Sequence, residues 1–140
     1  MTQEDKELLL KDLCARLLYG VKVTTTNPAV EFGVISGISI ENKISVRTKH
    51  ADIIFDCTEV KPYLRPMSSM TEDEKNELKQ ISNDYLDEWE HTKTSLERWK
   101  LDAKESYKRA VFYNSHHLDW NDLISKGLAL EAPKDMYKEI

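Results

Sequence analysis

The sequence predicts an α+β protein built from an N-terminal helix, a small antiparallel β-barrel, a long amphipathic helix and a short C-terminal helix. Three observations lead to this prediction. Leucines near the start recur at helical spacing, and residues 21–64 contain short runs that alternate between apolar and polar side chains. Residues 67–126 contain neither glycine nor proline, which favours uninterrupted helix. We therefore divide the chain into residues 1–66, 67–113 and 114–140.

The first helix is predicted at about residues 4–18. Thr2 is a candidate N-cap because Asp5 follows three residues later, as in a capping box. Gly20 is suited to the left-handed backbone that commonly ends a helix. The apolar face of this helix is formed by Leu9, Leu13 and Leu17.

Four or five short strands are predicted between Val21 and Leu64, because apolar and β-branched residues alternate with polar ones there. Turns are expected at Asn27-Pro28, at Glu41-Asn42 and near His50. So many short antiparallel strands in about 65 residues are typical of an SH3-like or Sm-like barrel. Glycines within the second strand would supply the bends that a small closed sheet needs.

The spacing of Gly33, Ile35 and Ser39, with Asn42 after them, resembles the Gly-x-Leu-x-x-x-Asp pattern of Sm-type RNA-binding proteins. That resemblance implies an RNA-binding ring. Ser39 stands where the Sm family has an acid, and the second Sm signature is absent from the sequence.

One apolar stripe runs along the predicted long helix at steps of three or four residues. Its members are Leu78, Ile81, Tyr85, Trp89, Leu96, Trp99, Ala103 and Tyr107. A continuous helix of roughly 40 residues would be about 60 Å long, whereas a compact domain of this size has a radius of gyration of about 14 Å. Such a helix would need a partner to cover its stripe, so we expect a homodimer.

A helical hairpin that turns at about residues 91–95 is the alternative. Thr94 and Glu97 fit a capping box there. Residues 71–90 carry eight acids and two lysines, whereas residues 91–112 carry six bases and three acids, so the two halves would attract each other. The unbroken phase of the stripe favours one continuous helix, because a hairpin has no reason to keep that phase across its turn. Both interpretations remain open.

Composition limits the classes of function. A net charge of -5 and a pI near 5.4 oppose nucleic-acid binding by the molecule as a whole. No apolar run approaches the ~20 residues of a membrane span, and the acidic start is unlike a signal peptide, so we expect a cytoplasmic protein. Cys14 and Cys57 are interpreted as buried apolar residues in a reducing compartment, with a disulfide or metal pair as the alternative.

After the long helix, Asp119 is a candidate N-cap for a short helix from Trp120 to Lys126 that Gly127 ends. An extended strap and a frayed segment at 134–140 are expected to follow. The densest set of metal-ligand side chains in the sequence is His116, His117 and Asp119. A structural metal site generally needs four protein ligands, Asp119 already has a role at a helix start, and adjacent histidines tend to point apart, so we interpret these residues as capping and packing groups. No cofactor, metal or catalytic residue is predicted, and the protein is not expected to be an enzyme.

Four lysines form a flank beside the apolar stripe: Lys93, Lys100, Lys104 and Lys108. Like charges four residues apart on a helix are unfavourable by roughly 0.2–0.5 kcal/mol per pair. An anionic partner, either a nucleic acid or an acidic protein surface, would relieve this repulsion. Alternatively, the lysines form a solvated face that pairs with neighbouring glutamates.

Three stretches resemble a family of small uncharacterised proteins from phages and prophages of gut bacteria. They are EDKELLLKDLCARL near the start, DIIFDCTEVKPYLRPMSSMTEDEK in the centre and HHLDWNDLISKGLALEAPKDMY near the end. The charged helical segment between Leu78 and Ala110 lies outside the resemblance. The resemblance implies an accessory protein of a mobile element, acting in the host cytosol, and assigns no chemistry.

We therefore expect a non-enzymatic binding protein that self-associates through its long helix and engages a host or phage macromolecule, with interference in host defence as one hypothesis. The first alternative is a nucleic-acid-binding protein that uses the lysine flank and the barrel. The second is a sponge for a small molecule such as a nucleotide, with its pocket between subunits.

Overall fold

The computed structural model describes residues 1–30 and 32–138. These residues form an α+β fold, as the sequence predicts. The helices are α1 (Gln3–Arg16), α2 (Glu72–Glu90) and α3 (Ser95–Ser115). The strands are β1 (Lys22–Thr25), β2 (Gly33–Ile38), β3 (Lys43–Arg47), β4 (Asp52–Asp56), β5 (Val60–Leu64) and β6 (Leu130–Glu131). Short 3-10 turns lie at Leu17–Tyr19, Cys57–Glu59 and Met67–Ser69.

The strands of the described residues form one mixed sheet in the order β4-β3-β2-β1-β5-β6. Neighbouring strands are antiparallel except for β5 and β6, which are parallel. The SH3-like or Sm-like barrel is not confirmed, because the sheet of the described residues is open, with β4 and β6 at its edges. The sequence predicts no strand at β6. This strand of the C-terminal segment takes the edge of β5 that a closed barrel would use.

The core lies between α1 and the sheet. Its buried members include Leu9 and Leu13 of α1, and residues of five strands: Val23, Ile35, Ile44, Val46, Phe55, Val60 and Leu64. Leu123, Leu128 and Ala129 join the same cluster, so the segment after α3 packs on the body. Cys57 is buried as predicted, but the predicted burial of Cys14 is wrong, because Cys14 lies on the exposed side of α1.

The predicted helix starts are confirmed by their hydrogen bonds. The Thr2 hydroxyl accepts from the Asp5 N–H at 3.1 Å, and the Asp5 carboxylate accepts from the Thr2 N–H at 3.4 Å. Thr71 and Glu74, whose spacing in the sequence also fits a capping box, make the same reciprocal pair at the start of α2. Gly20 has a φ of 68°, so the end of the first helical segment is also as predicted.

The prediction of one continuous helix over 67–113 is wrong, and the hairpin alternative is the observed one. The chain leaves α2 at His91, and the Thr94 hydroxyl accepts from the Glu97 N–H at 3.2 Å to start α3. The Thr92 hydroxyl donates to the Trp89 carbonyl at 2.7 Å within the turn. Local capping therefore outweighs the continuous phase of the stripe.

The predicted short helix from Trp120 to Lys126 is wrong, because these residues form successive turns. Asp122 has a φ of 58°, which a right-handed helix does not accommodate. Asp119 still caps the segment, since its carboxylate accepts from the Leu123 and Ile124 N–H groups at 2.8 and 3.0 Å. The prediction of a frayed segment at 134–140 is also wrong as far as Lys138. Residues 139–140 of that prediction lie outside the described residues.

Tyr137 holds the C-terminal segment on the sheet. Its hydroxyl donates to the Tyr63 carbonyl at 2.6 Å and accepts from the Lys22 N–H at 2.8 Å. Burial raises the pKa of the Tyr137 hydroxyl to about 12, so this group stays protonated at neutral pH.

Among the described helices, none is both long enough and apolar enough to cross a bilayer.

Gly33 and Gly37 lie in the same strand and allow a matched test of packing. A Cβ at Gly33 would lie 2.1 Å from Cγ1 of Val46, whereas a Cβ at Gly37 would be 3.8 Å from its nearest neighbour, Cβ of Ser45. We expect Gly33→Ala to lower the free energy of unfolding by about 1–3 kcal/mol through overpacking. Gly37→Ala should leave it nearly unchanged. Urea denaturation followed by circular dichroism measures both, and equal losses would contradict the prediction.

Candidate functional site

The helical hairpin exposes large apolar side chains. On α3, Leu96 is 59% exposed, Trp99 67% and Tyr107 71%, and Ala103 is also exposed. These four residues recur at steps of three or four, so they lie on one face of α3. We call them the α3 outer stripe. On α2, Leu86 is 57% exposed and Trp89 41%.

The turn between the helices splits the predicted stripe into two unlike halves. Leu78, Ile81 and Tyr85 of α2 are half-buried, and the Tyr85 hydroxyl donates to the Asp102 carboxylate of α3 at 2.6 Å. A narrow cleft lies between α2 and α3. Its α3 side is lined by residues outside the predicted stripe, among them Leu101, which is buried. Helix α3 therefore packs on α2 through a different face, so α2 does not cover the α3 outer stripe.

Polar contacts also tie α3 to α2. The Arg109 guanidinium contacts the Glu105 carboxylate and the Ser82 hydroxyl. The Arg98 guanidinium lies 4.7 Å from the centre of the Trp89 ring, beside the turn of the hairpin. The two helices thus hold a defined orientation, because hydrogen bonds and a cation–π contact accompany their apolar packing.

The predicted lysine flank is divided by the structure. Lys104 and Lys108 line the narrow cleft between α2 and α3, Lys100 is exposed on α3, and Lys93 lies in the turn. Within the described chain, none of these four amino groups lies within 4.0 Å of a carboxylate oxygen. Their positive charge is therefore not neutralised by a direct ion pair.

The base of the hairpin is fixed to the body by a buried carboxylate. Both Glu74 oxygens accept from the Arg65 guanidinium at 2.7 Å, and His116 Nδ1 lies 2.9 Å from Glu74 Oε2. The Arg65 hydrogen bonds lower the pKa of Glu74 to about 2, so the pair stays charged at neutral pH. This network joins the end of β5 to the first turn of α2 and the last turn of α3.

The three metal-ligand candidates point to different partners. His116 faces Glu74 and Glu77, His117 stacks on Tyr137 with ring centres 3.6 Å apart, and Asp119 caps the following turn. In residues 1–30 and 32–138, no group of three or more His, Cys, Asp or Glu side chains is placed to hold a metal ion. Capping and packing are the roles that these side chains have in the structure.

His117 makes stability sensitive to mild acid. Burial lowers the pKa of its ring to about 4 from 6.5, and within the described residues its Nδ1 is buried without a hydrogen-bond partner. Between pH 6.5 and 4 the His117 ring therefore binds a proton in the unfolded chain but stays neutral in the folded chain. We expect the free energy of unfolding to fall across this interval, by at most about 3 kcal/mol.

Urea denaturation at pH 7, 5.5 and 4 measures the slope. His117→Asn should flatten it, since asparagine does not titrate and tolerates the left-handed backbone at this position, where φ is 60°. His50→Asn removes an exposed histidine and should leave the slope unchanged. An equal slope in all three proteins would show that His117 is not the group responsible.

A second surface was missed by the sequence analysis. A groove of about 630 Å³, which we call the basic groove, lies between the sheet and the C-terminal segment. Its described lining includes Lys22, Phe32, Arg47, Lys49 and Lys134. These residues come from separate strands and turns and form no motif. Their meeting depends on the position of residues 133–136, which the sequence indicates only as strap and frayed end.

The outer stripe and the basic groove are thus the two surfaces of the described chain that suit binding best. Comparison of the chain with protein-family models, with curated proteins and with solved structures finds no match.

Proposed function

We propose that the protein is a non-catalytic binding protein that self-associates through the outer stripe of α3 and engages a macromolecule beside it. The observation that supports the proposal is the exposure of Leu96, Trp99 and Tyr107 along one helix face. Exposed apolar patches of this kind mark interaction surfaces in soluble proteins. Aromatic side chains are also the residues that contribute most to interface affinity.

The stripe is complementary to itself. When two copies of α3 run antiparallel with Ala103 facing Ala103, Trp99 of each copy lies opposite Tyr107 of the other. Leu96 then lies opposite Ala110. The small side chain of Ala103 lets the helices approach at the two-fold axis, and the aromatic pairs flank it on both sides. A second copy of this chain is therefore the partner that best fits the stripe.

Pairing of this kind would also gather the lysines. At 100° per residue, Lys100 and Lys104 lie on the same side of the stripe. The two-fold axis places the corresponding lysines of both copies on one side of the helix pair. An acidic surface of a partner macromolecule would be attracted there, because these lysines lack ion pairs in the described chain.

The phage and prophage resemblance adds a context to this proposal. A host or phage macromolecule would be the partner, and interference with a host process would be the result. The net charge of -5 favours a protein with a localised acidic surface over a nucleic acid, since the charge of a nucleic acid extends along its whole length and is repelled by the acidic remainder of the molecule.

Size-exclusion chromatography with light scattering tests self-association directly. We expect a mass of twice the 16.3 kDa chain. Since the lysines of both copies lie on one side, added salt should strengthen the dimer by screening their repulsion. A monomer at all protein and salt concentrations would contradict the proposal.

A further inference from the structure

The basic groove lies between the starts of β2 and β1, the end of β3 and the C-terminal segment. Its volume of about 630 Å³ is within the range of small-molecule sites. Its described lining carries four basic side chains, Lys22, Arg47, Lys49 and Lys134, against one acid, Asp135. The chain as a whole has a net charge of -5, so the groove is a local exception to the charge of the protein.

Much of this positive charge is unpaired. Asp135 already lies 3.8 Å from Lys138, and Arg47 lies 3.2 Å from Asp52. In the part of the chain that the structure describes, neither Lys22, Lys49 nor Lys134 has a carboxylate oxygen within 4.0 Å. Basic groups that line one concave surface reinforce each other's field, so an anion is attracted into the groove.

Lys22 is the best positioned of these cations. Its amino group is part-buried and donates to the Met136 carbonyl at 2.8 Å, which leaves further N–H groups without a hydrogen bond to the described chain. The same amino group lies 5.6 Å from the centre of the Tyr137 ring. Two contacts therefore hold the charge at the wall of the groove, so less side-chain entropy is lost when an anion binds.

An aromatic ring lies at the edge of the same groove. Phe32 is 56% exposed, and its ring centre lies 5.9 Å from that of Tyr63. Val34, Pro133 and Met136 add apolar lining. An exposed ring that its neighbour supports from one side offers its free surface to another flat ring.

From this juxtaposition we propose that the groove binds a nucleoside phosphate, with its base against Phe32 and its phosphate between Lys22, Lys49 and Lys134. The Phe32 ring would stack on the base, and the lysines would form charge-assisted hydrogen bonds to the phosphate. The volume of the groove suits a single small ligand, which favours a mononucleotide over a strand of nucleic acid. The site lies within one chain, so it does not depend on self-association.

Isothermal titration calorimetry with ADP, GDP, CDP and UDP tests the site. We expect at least one of them to bind, and adenosine or inorganic phosphate alone to bind more weakly, because each supplies half of the contacts. The double charge reversal Lys49→Glu with Lys134→Glu should weaken binding at least tenfold, and Phe32→Ala at least about fivefold. Lys61→Glu reverses an exposed lysine that does not line the groove and should bind as the natural protein does.

Three results would overturn the assignment. The first is the absence of binding by all four nucleotides. The second is binding that the double charge reversal leaves unchanged while circular dichroism shows a native fold. The third is binding of a ten-residue oligothymidylate without binding of any mononucleotide, which would indicate a nucleic-acid surface instead.

Discussion

Leu96→Glu is expected to convert the proposed dimer into a monomer. In the proposed antiparallel pair, Leu96 lies at both ends of the α3 outer stripe, so one substitution would place two buried charges in the interface. An uncompensated charge in an apolar contact commonly costs several kcal/mol. Even about 2 kcal/mol at each of the two positions would raise the dissociation constant by roughly a thousandfold.

Leu18→Glu is the matched control. Leu18 is 90% exposed, and it lies in the turn after α1 instead of on the hairpin. Both substitutions add the same charge in place of the same side chain. Light scattering should show a monomer for Leu96→Glu and an unchanged dimer for Leu18→Glu. If both variants remain dimers, the outer stripe is not the interface.

A cysteine at position 103 tests the proposed arrangement of the two helices. Antiparallel pairing centred on Ala103 brings the two copies of that residue together, so Ala103→Cys should oxidise to a covalent dimer in a Cys14→Ser background. Cys14 is replaced because it is exposed, whereas Cys57 is buried. Tyr107→Cys should not cross-link by itself, since its partner position is Trp99. The reverse pattern would reject this centre of pairing.

The hairpin shows how far the sequence determines this fold. The caps at Thr71 and Thr94 are local hydrogen-bond patterns, so the sequence indicates both helix starts. The phase of the stripe is also a local pattern, but whether the stripe is buried or exposed depends on which face of α3 packs on α2. That choice is decided by Leu101 and Arg109, which lie outside the stripe and contribute no signal of their own.

The sheet and the groove depend on longer-range information. Strands β1 to β5 are joined by short turns, so alternating side chains identify them. Strand β6 has only two residues, Leu130 and Glu131, and lies beside β5 after an intervening hairpin. The basic groove requires the same return of the chain, because Lys134 meets Lys22 and Lys49 only once Tyr137 is anchored on the sheet.

Asp12→Ala is expected to cause the largest loss of stability. Arg16 is fully buried, and its guanidinium donates to the two Asp12 oxygens at 2.7 and 3.2 Å and to the Leu118 carbonyl at 2.7 Å. Asn121 donates to the same carboxylate at 2.9 Å. Removing Asp12 leaves a buried guanidinium without its anion, which typically costs about 3–5 kcal/mol.

We expect this loss of stability because the Asp12–Arg16 pair is buried, and not because its two residues lie four positions apart. Arg47 and Asp52 form an ion pair on the exposed surface, so Asp52→Ala should cost less than about 1 kcal/mol. The double variant Asp12→Leu with Arg16→Met should recover much of the loss, since apolar side chains replace both buried charges together. Guanidinium denaturation followed by circular dichroism compares the variants. Equal losses for Asp12→Ala and Asp52→Ala would show that burial of the Asp12–Arg16 pair does not produce the effect.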